Sequence, residues 1–300
     1  MNTGTKRLSR RLALVACATV TTPLAAQGPP GSDIFVASLA IRDGRAVLGQ
    51  PVNVTERAGY DNQPFFLPDG SAIYYTSYRN GQADVYRYDL ATGKHTQLTD
   101  TPESEYSPTP MPDGRRFSVV RVEADSTQRL WTFALDGSDA RLLIPSVAPV
   151  GYHAWLTQDV VALFVLGTPN TLQIVHLSAG RPDTIAENVG RSLVRVPGSS
   201  QISFVQRTAD GEGWVTRQDT ASTVHRIVRL PGDDYFASTP DGTLFSANGS
   251  SIYWYRPELD ESWVEIADFS AAAIGGITRI AVSPRGDRIA FVAADPPGNR

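Results

Sequence analysis

Asn62-Gln63-Pro64-Phe65-Phe66-Leu67-Pro68-Asp69-Gly70-Ser71-Ala72-Ile73-Tyr74-Tyr75-Thr76-Ser77 opens a unit that continues through Asn80-Gly81 and Thr92-Gly93 to Thr99. Pro68-Asp69-Gly70 supplies proline where a turn wants φ near −65° and glycine where it wants a positive φ. Asn80-Gly81 and Thr92-Gly93 break the chain in the same way. Between these breaks lie four short runs rich in Phe, Tyr, Ile, Val and Thr, which suit a pleated, packed surface. The unit reads as a four-stranded antiparallel meander.

It recurs. After Gly70 the turn glycine returns at Gly114 (Met111-Pro112-Asp113-Gly114), Gly198 (Val196-Pro197-Gly198), Gly242 (Thr239-Pro240-Asp241-Gly242) and Gly286 (Ser283-Pro284-Arg285-Gly286), in steps of 44, 84, 44 and 44 residues. The step of 84 holds two repeats, with Thr157-Gln158-Asp159 where the missing turn belongs, ahead of a run otherwise patterned like its neighbours. A second marker keeps the same frame, an apolar and usually aromatic signature in each third strand: Ile34-Phe35, Val85-Tyr86, Leu130-Trp131, Gln173-Ile174, Gly213-Trp214 and Ile252-Tyr253. A period of about 40–45 residues with four strands per unit is the mark of a β-propeller. The chain therefore reads as all-β, a six-bladed propeller of four-stranded antiparallel blades. The last unit has only two strands, Arg279 to Val282 and Arg288 to Ala293, and the stretch before the first full unit has two more, Asp33 to Ile41 and Arg45 to Thr55. Joined, they make a composite sixth blade from both chain ends, which leaves no open blade edge in the ring.

Residues 1–26 read as a secretory signal peptide. Lys6, Arg7, Arg10 and Arg11 precede an apolar run from Leu12 to Val20, and Leu24-Ala25-Ala26 supplies the small residues of a cleavage site after Ala26. The run is too short for a membrane span. Ser9-Arg10-Arg11 resembles a twin-arginine export signal, with Ala13-Leu14 in place of the usual Phe-Leu pair. Leu14-Val15-Ala16-Cys17 has the letters of a lipoprotein box, but only five apolar residues separate Arg11 from Cys17, so cleavage near Ala26 is the reading preferred over lipid anchoring. The expected organisation is then a short linker at 27–33, the propeller at 34–294 and a polar tail at 295–300. Of the 27 Lys and Arg, 23 remain after the leader against 31 Asp and Glu, a net charge of −8, which offers nothing to nucleic acid or an anionic membrane surface. Cys17 is the one cysteine, so neither a disulfide framework nor a thiolate metal site is expected.

The units around Pro64…Pro68-Asp69-Gly70 and Pro108…Pro112-Asp113-Gly114 resemble the Pro-Asp-Gly propeller repeat of the TolB family, periplasmic proteins of the Tol–Pal system. The same repeat occurs in the propeller halves of prolyl oligopeptidase-type enzymes. The likeness is strong in these two units, weaker at Gly242 and Gly286, and poor in the third and fourth. It implies the propeller fold and partner recruitment at the propeller mouth. TolB proteins carry an α/β domain ahead of the propeller, for which the sequence leaves no room between Gln27 and Ile34.

Catalytic signatures are sparse. The sequence has no Gly-x-Ser-x-Gly elbow and no Gly-rich phosphate loop before a helix. His95, His153, His176 and His225 show no metal-ligand spacing. No cofactor or metal is expected. Asp69, Asp113 and Asp241 read as turn residues that accept nearby backbone amides rather than as calcium ligands. Trp131, Trp214, Trp254 and Trp263 read as packing between blades.

One constellation follows from the repeat frame. The residues eight and seven before each turn glycine should ring one mouth of the central channel: Asn62 and Gln63, Tyr106 and Ser107, Gly151 and Tyr152, Gly190 and Arg191, Asp234 and Tyr235, Thr278 and Arg279. Asp61, Glu105 and Asp233 precede three of these pairs. Aromatics and arginine are enriched at binding hot spots, and the ends of rigid strands are where function tends to sit. The candidate binding set is Asn62, Tyr106, Tyr152, His153, Arg191, Asp234, Tyr235 and Arg279. The expected function is that of an exported, monomeric, non-enzymatic scaffold recognising an envelope protein or peptide at the mouth. The alternative is a carbohydrate-binding or lyase-type carbohydrate-degrading propeller.

Overall fold

The computed structural model describes residues 28–219 and 223–295, together with Met1. The leader at 1–26, Met1 apart, and all but the first residue of the polar tail lie outside the described residues. Six antiparallel sheets form the ring. In the first blade the strands Asp61–Phe66, Ala72–Arg79, Gln82–Asp89 and His95–Gln97 follow one another from the axis outward. The second blade begins with Ser104–Pro110, the third with Val150–Trp155, the fourth with Val189–Arg195 and the fifth with Phe236–Ser238. The sixth is composite: from the C-terminal side Ile280–Val282 pairs with Arg288–Ala294, which pairs in turn with Ser32–Arg42, and that strand carries Arg45–Leu48 and Val52–Asn53 on its outer edge. The two chain ends meet in seven paired positions, from Ser32 opposite Ala294 to Ser38 opposite Arg288.

The turn chemistry read from the repeat is what the backbone uses. Gly70, Gly114, Gly198, Gly242 and Gly286 sit at φ between +67° and +88°, a region that costs a side-chain-bearing residue energy. In the third blade Leu156 to Asp159 make the corresponding turn without a glycine. Asp69 accepts the amide and hydroxyl of Ser71, Asp113 the amide of Arg115, and Asp241 the amide of Thr243, so each aspartate closes its own turn. In the alanine-rich stretch Phe269 to Gly276, Ser270–Ala272 forms one turn of 3-10 helix.

Between the blades lie six apolar clusters, each joining two neighbours. Phe117 and Phe133 of the second blade meet Tyr74 and Val85 of the first, and Phe204 of the fourth meets Phe164 of the third. Closure is sealed twice. Phe291 packs against Phe245 and Trp254 of the fifth blade, while Ile34 and Val292 pack against Ile73 and Tyr75 of the first. Both faces of each middle strand are therefore covered, and Ala72 to Ser77 are buried without alternation. Inner strands differ because one edge borders the channel. Pro64, Pro108 and Pro110 lie on them, where a missing N–H leaves no ladder bond unmade. Among the described residues, no helix is long and apolar enough to cross a membrane.

Candidate functional site in the axial channel

The inner strands enclose a cavity of about 620 Å³. At one end it is bounded by a layer to which every blade gives one side chain: Gln63, Ser107, Tyr152, Arg191, Tyr235 and Arg279. From there it follows the strands to the turn prolines Pro68, Pro112, Pro197, Pro240 and Pro284 at the other end. The cavity thus fills the channel rather than only the mouth.

The repeat frame pointed at pairs of residues, and the pleat separates each pair. The second member faces the channel. The first member, Asn62, Tyr106, Gly151, Gly190, Asp234 or Thr278, does not line it. This corrects the placement expected for three candidates. Asn62 is buried and donates to Ser32 Oγ at 3.2 Å. Tyr106 packs among Val120, Leu130 and Val150 between the second and third blades. Asp234 is buried beside the fourth blade, where its Oδ1 accepts from Arg207 Nη2 at 2.6 Å. The same carboxylate explains Gly190, since a Cβ there would stand 2.6 Å from Asp234 Oδ1. Asp61 and Glu105 are likewise structural, held at 3.2 Å from Arg57 and Arg121.

Two bulges set the channel-facing layer in the first two blades. Gln63 at φ +60° and Ser107 at φ +55° occupy the same repeat position, and strand pairing skips at both. Gln63 Oε1 then accepts from the Ser107 amide at 2.6 Å and from Thr76 Oγ1 at 3.0 Å, which ties the two blades together.

The remaining four members form one connected group. The Arg279 guanidinium lies 4.7 Å from the centre of the Tyr152 ring and 4.8 Å from that of Tyr235. Its Nη2 donates to the Tyr152 hydroxyl at 2.7 Å. Arg191 Nη1 donates to the Tyr235 hydroxyl at 3.1 Å. Tyr60, just ahead of the first inner strand, belongs to the same group, and burial pushes its hydroxyl well above the ordinary tyrosine range. Tyr60 was not singled out from the sequence because it falls before the repeat frame begins.

His153 lines the cavity wall but is buried. Its Nε2 is 2.7 Å from Ser118 Oγ, which donates to the Thr109 carbonyl and accepts Trp155 Nε1–H. That arrangement leaves the Ser118 oxygen accepting from Nε2–H, and Nδ1 has no partner among the described residues. Burial pushes the imidazole down to about 3, so it is neutral. Among the described residues, no three His, Cys, Asp or Glu side chains converge as a metal-binding group.

Residues 20–154 match the family described as the TolB beta propeller domain. The chain is a six-bladed β-propeller that is TolB-like over those residues. A Tol-Pal system protein TolB from Francisella tularensis is 35% identical over 65 residues, 22% of this chain. The curated relatives are matched over only 15 to 26% of their own length. Among solved structures, a putative TolB from Agrobacterium tumefaciens superposes with a TM-score of 0.65 at 15% identity, over 90% of this chain and all of the other. An oligogalacturonate lyase in complex with manganese reaches 0.55 at 13% identity, over 85% of this chain and 83% of the lyase. At such identities the likeness is one of fold.

Proposed function

We propose that this TolB-like propeller is an exported, non-enzymatic binding scaffold that takes a segment of a protein or peptide partner into its axial channel. One observation carries the reading. Tyr152, Arg191, Tyr235 and Arg279 come from four blades, converge at one level of a rigid channel, and bond to one another rather than to a nucleophile or a catalytic acid–base pair. Tyrosine combines a large contact area with a polar tip, and arginine is the usual charged anchor at binding hot spots. A cavity of about 620 Å³ suits a short segment of chain more than a folded domain. The TolB-like family favours a binding role in general. For the lyase-type alternative the channel wall offers, among the described residues, one histidine, buried and neutral, and no carboxylate.

The test is selection of random peptides displayed on phage against the immobilised protein. Enriched peptides should lose binding to Tyr235→Ala and Arg279→Ala and keep it with Lys94→Glu, which changes an exposed turn on the outer side of the first blade. Peptides that bind all three variants alike would place recognition outside the channel.

A further inference from the structure

The described protein carries more acid than base, yet its cavity wall includes three guanidinium groups and no carboxylate. Two of the three matter here. Arg279 is half-buried, and among the described residues its partners are one tyrosine hydroxyl and two ring faces, with no ion pair. Arg191, bonded to the hydroxyl of Tyr235, also lacks a carboxylate within ion-pair distance among the described residues. The two cations thus bracket Tyr235, one at its hydroxyl and one over its face. Three arginines elsewhere in the fold are paired instead. Arg57, Arg121 and Arg207, close behind the channel wall, each have an acid at 3.2 Å or nearer. Withdrawing a guanidinium from water without a counter-ion is costly, and ring-face contacts return only part of that. Arg279 also keeps most of its five N–H donors uncommitted.

We propose that Arg279 and Arg191 form the seat for a carboxylate, and that the occupant is an acidic side chain of the bound peptide. The inference rests on the peptide-binding reading above and specifies what in the peptide is read. A guanidinium fork matches a carboxylate in two parallel hydrogen bonds, and a site with two forks favours a planar oxyanion over a neutral amide. Beyond the arginines the cavity turns apolar, with Phe65 41% exposed and Met111 and the turn prolines along its length. The ligand is therefore an extended peptide with an acidic residue at the arginine layer and apolar residues beside it.

The experiment uses the full chain immobilised and three probes. These are a pool of blocked heptapeptides with glutamate fixed at the centre, the matching pool with glutamine there, and oligogalacturonate as a carboxylate on a sugar chain. Retention is measured for the wild type, Arg191→Gln, Arg279→Gln and Arg279→Lys, each checked for an unchanged circular dichroism spectrum. We expect the glutamate pool to be retained at least about tenfold better than the glutamine pool. Arg191→Gln, at an exposed position, should cut that preference, and Arg279→Gln should abolish it. Arg279→Lys should keep part of it, because the charge stays and the fork is lost. Equal retention of both pools would overturn the carboxylate seat and leave the peptide reading standing. Retention of oligogalacturonate through Arg279 with neither pool bound would overturn the peptide as occupant, and with it the scaffold reading. No retention of any probe would overturn the proposal.

Discussion

Arg279 donates a 2.7 Å hydrogen bond to the hydroxyl of Tyr152, a residue 127 positions away on the blade directly opposite in the ring. The bond runs from the sixth blade to the third and so bridges the channel rather than following its wall. If the arginine is held for a ligand and not for the fold, removing it should cost the fold little. Replacing an uncompensated cation by an apolar side chain of similar length is often neutral or stabilising. Arg279→Met should therefore melt at the wild-type temperature or above it while losing peptide retention. A drop equivalent to more than about 3 kcal/mol would mark the cross-channel bond as structural.

Tyr152→Phe separates the two kinds of contact at the bridge. The ring and its cation–π geometry stay, and only the hydroxyl that accepts from Arg279 goes. Stability should fall by about 1 kcal/mol or less, the usual net worth of one hydrogen bond. Peptide retention should persist, because Arg279 then has one more free donor. Loss of retention in the phenylalanine variant would place the hydroxyl itself in ligand contact.

Closure makes a different demand. Phe291, fully buried, stacks on Phe35 at 5.5 Å on one side and on Phe269 at 5.5 Å on the other, so one ring ties both chain ends to the fifth blade. Phe291→Ala should cost about 3–5 kcal/mol, read from urea unfolding. Deleting 279–295 should do more, because it strips seven paired positions from Ser32–Arg42 and bares a strand edge. The truncated chain should aggregate or melt without cooperativity. A sharp transition at the wild-type midpoint would mean that the ends contribute nothing to the ring.

Much of this was legible in advance, for a physical reason. Turn glycines must take positive φ and apolar residues must fill the space between blades, so the 44-residue steps from Gly70 to Gly114, Gly198 to Gly242 and Gly242 to Gly286 report the ring directly. The chain ends followed by counting strands. The channel layer was half legible. Spacing located the pairs but not which member faces inward, because a bulge such as those at Gln63 and Ser107 shifts the pleat without any letter that marks it. Hence Tyr106 and Asp234 stood beside Tyr235 in the sequence reading, although only Tyr235 reaches the cavity. The counter-ion balance behind the wall was not legible at all. Whether Arg207 or Arg191 receives Asp234 depends on contacts between residues far apart in sequence.

Two buried groups give opposite pH slopes. Burial pushes the Glu105 carboxyl up to about 7, from an ordinary value near 4.5. Between those values the folded chain holds the proton more tightly, so this group's stabilisation is present at the acid side and fades as pH rises to 7. His153, held down to about 3, works the other way. Below about 6.5 the unfolded imidazole takes a proton that the folded one refuses, and stability falls with pH. Melting curves should show Glu105→Gln gaining on the wild type from pH 5 to 8. His153→Gln should gain on it from pH 7 down to 5. Parallel profiles for wild type and both variants would mean that neither group titrates as its burial requires.

The bulge residues allow a last test, in which a smaller side chain strengthens the fold. Gln63 and Ser107 hold equivalent repeat positions in the left-handed region, at φ +60° and +55°, where a Cβ costs roughly 1–2 kcal/mol. Their side chains differ in what they return. Gln63 Oε1 accepts two hydrogen bonds, one of which, from the Ser107 amide, ties the first blade to the second, whereas the buried Ser107 hydroxyl has no partner among the described residues. Glycine at 107 therefore removes strain and an unpaired polar atom together, against the added freedom of the unfolded chain. Ser107→Gly should raise the melting temperature, with a gain of up to about 1 kcal/mol. Gln63→Gly should lower it, since relief of the same strain is outweighed by a bare Ser107 amide and the lost tie between blades. Both effects should be absent from peptide retention if the arginine half of the layer does the recognition. A Ser107→Gly variant less stable than the wild type would show that the hydroxyl is satisfied in solution and that the bulge carries no strain at that position.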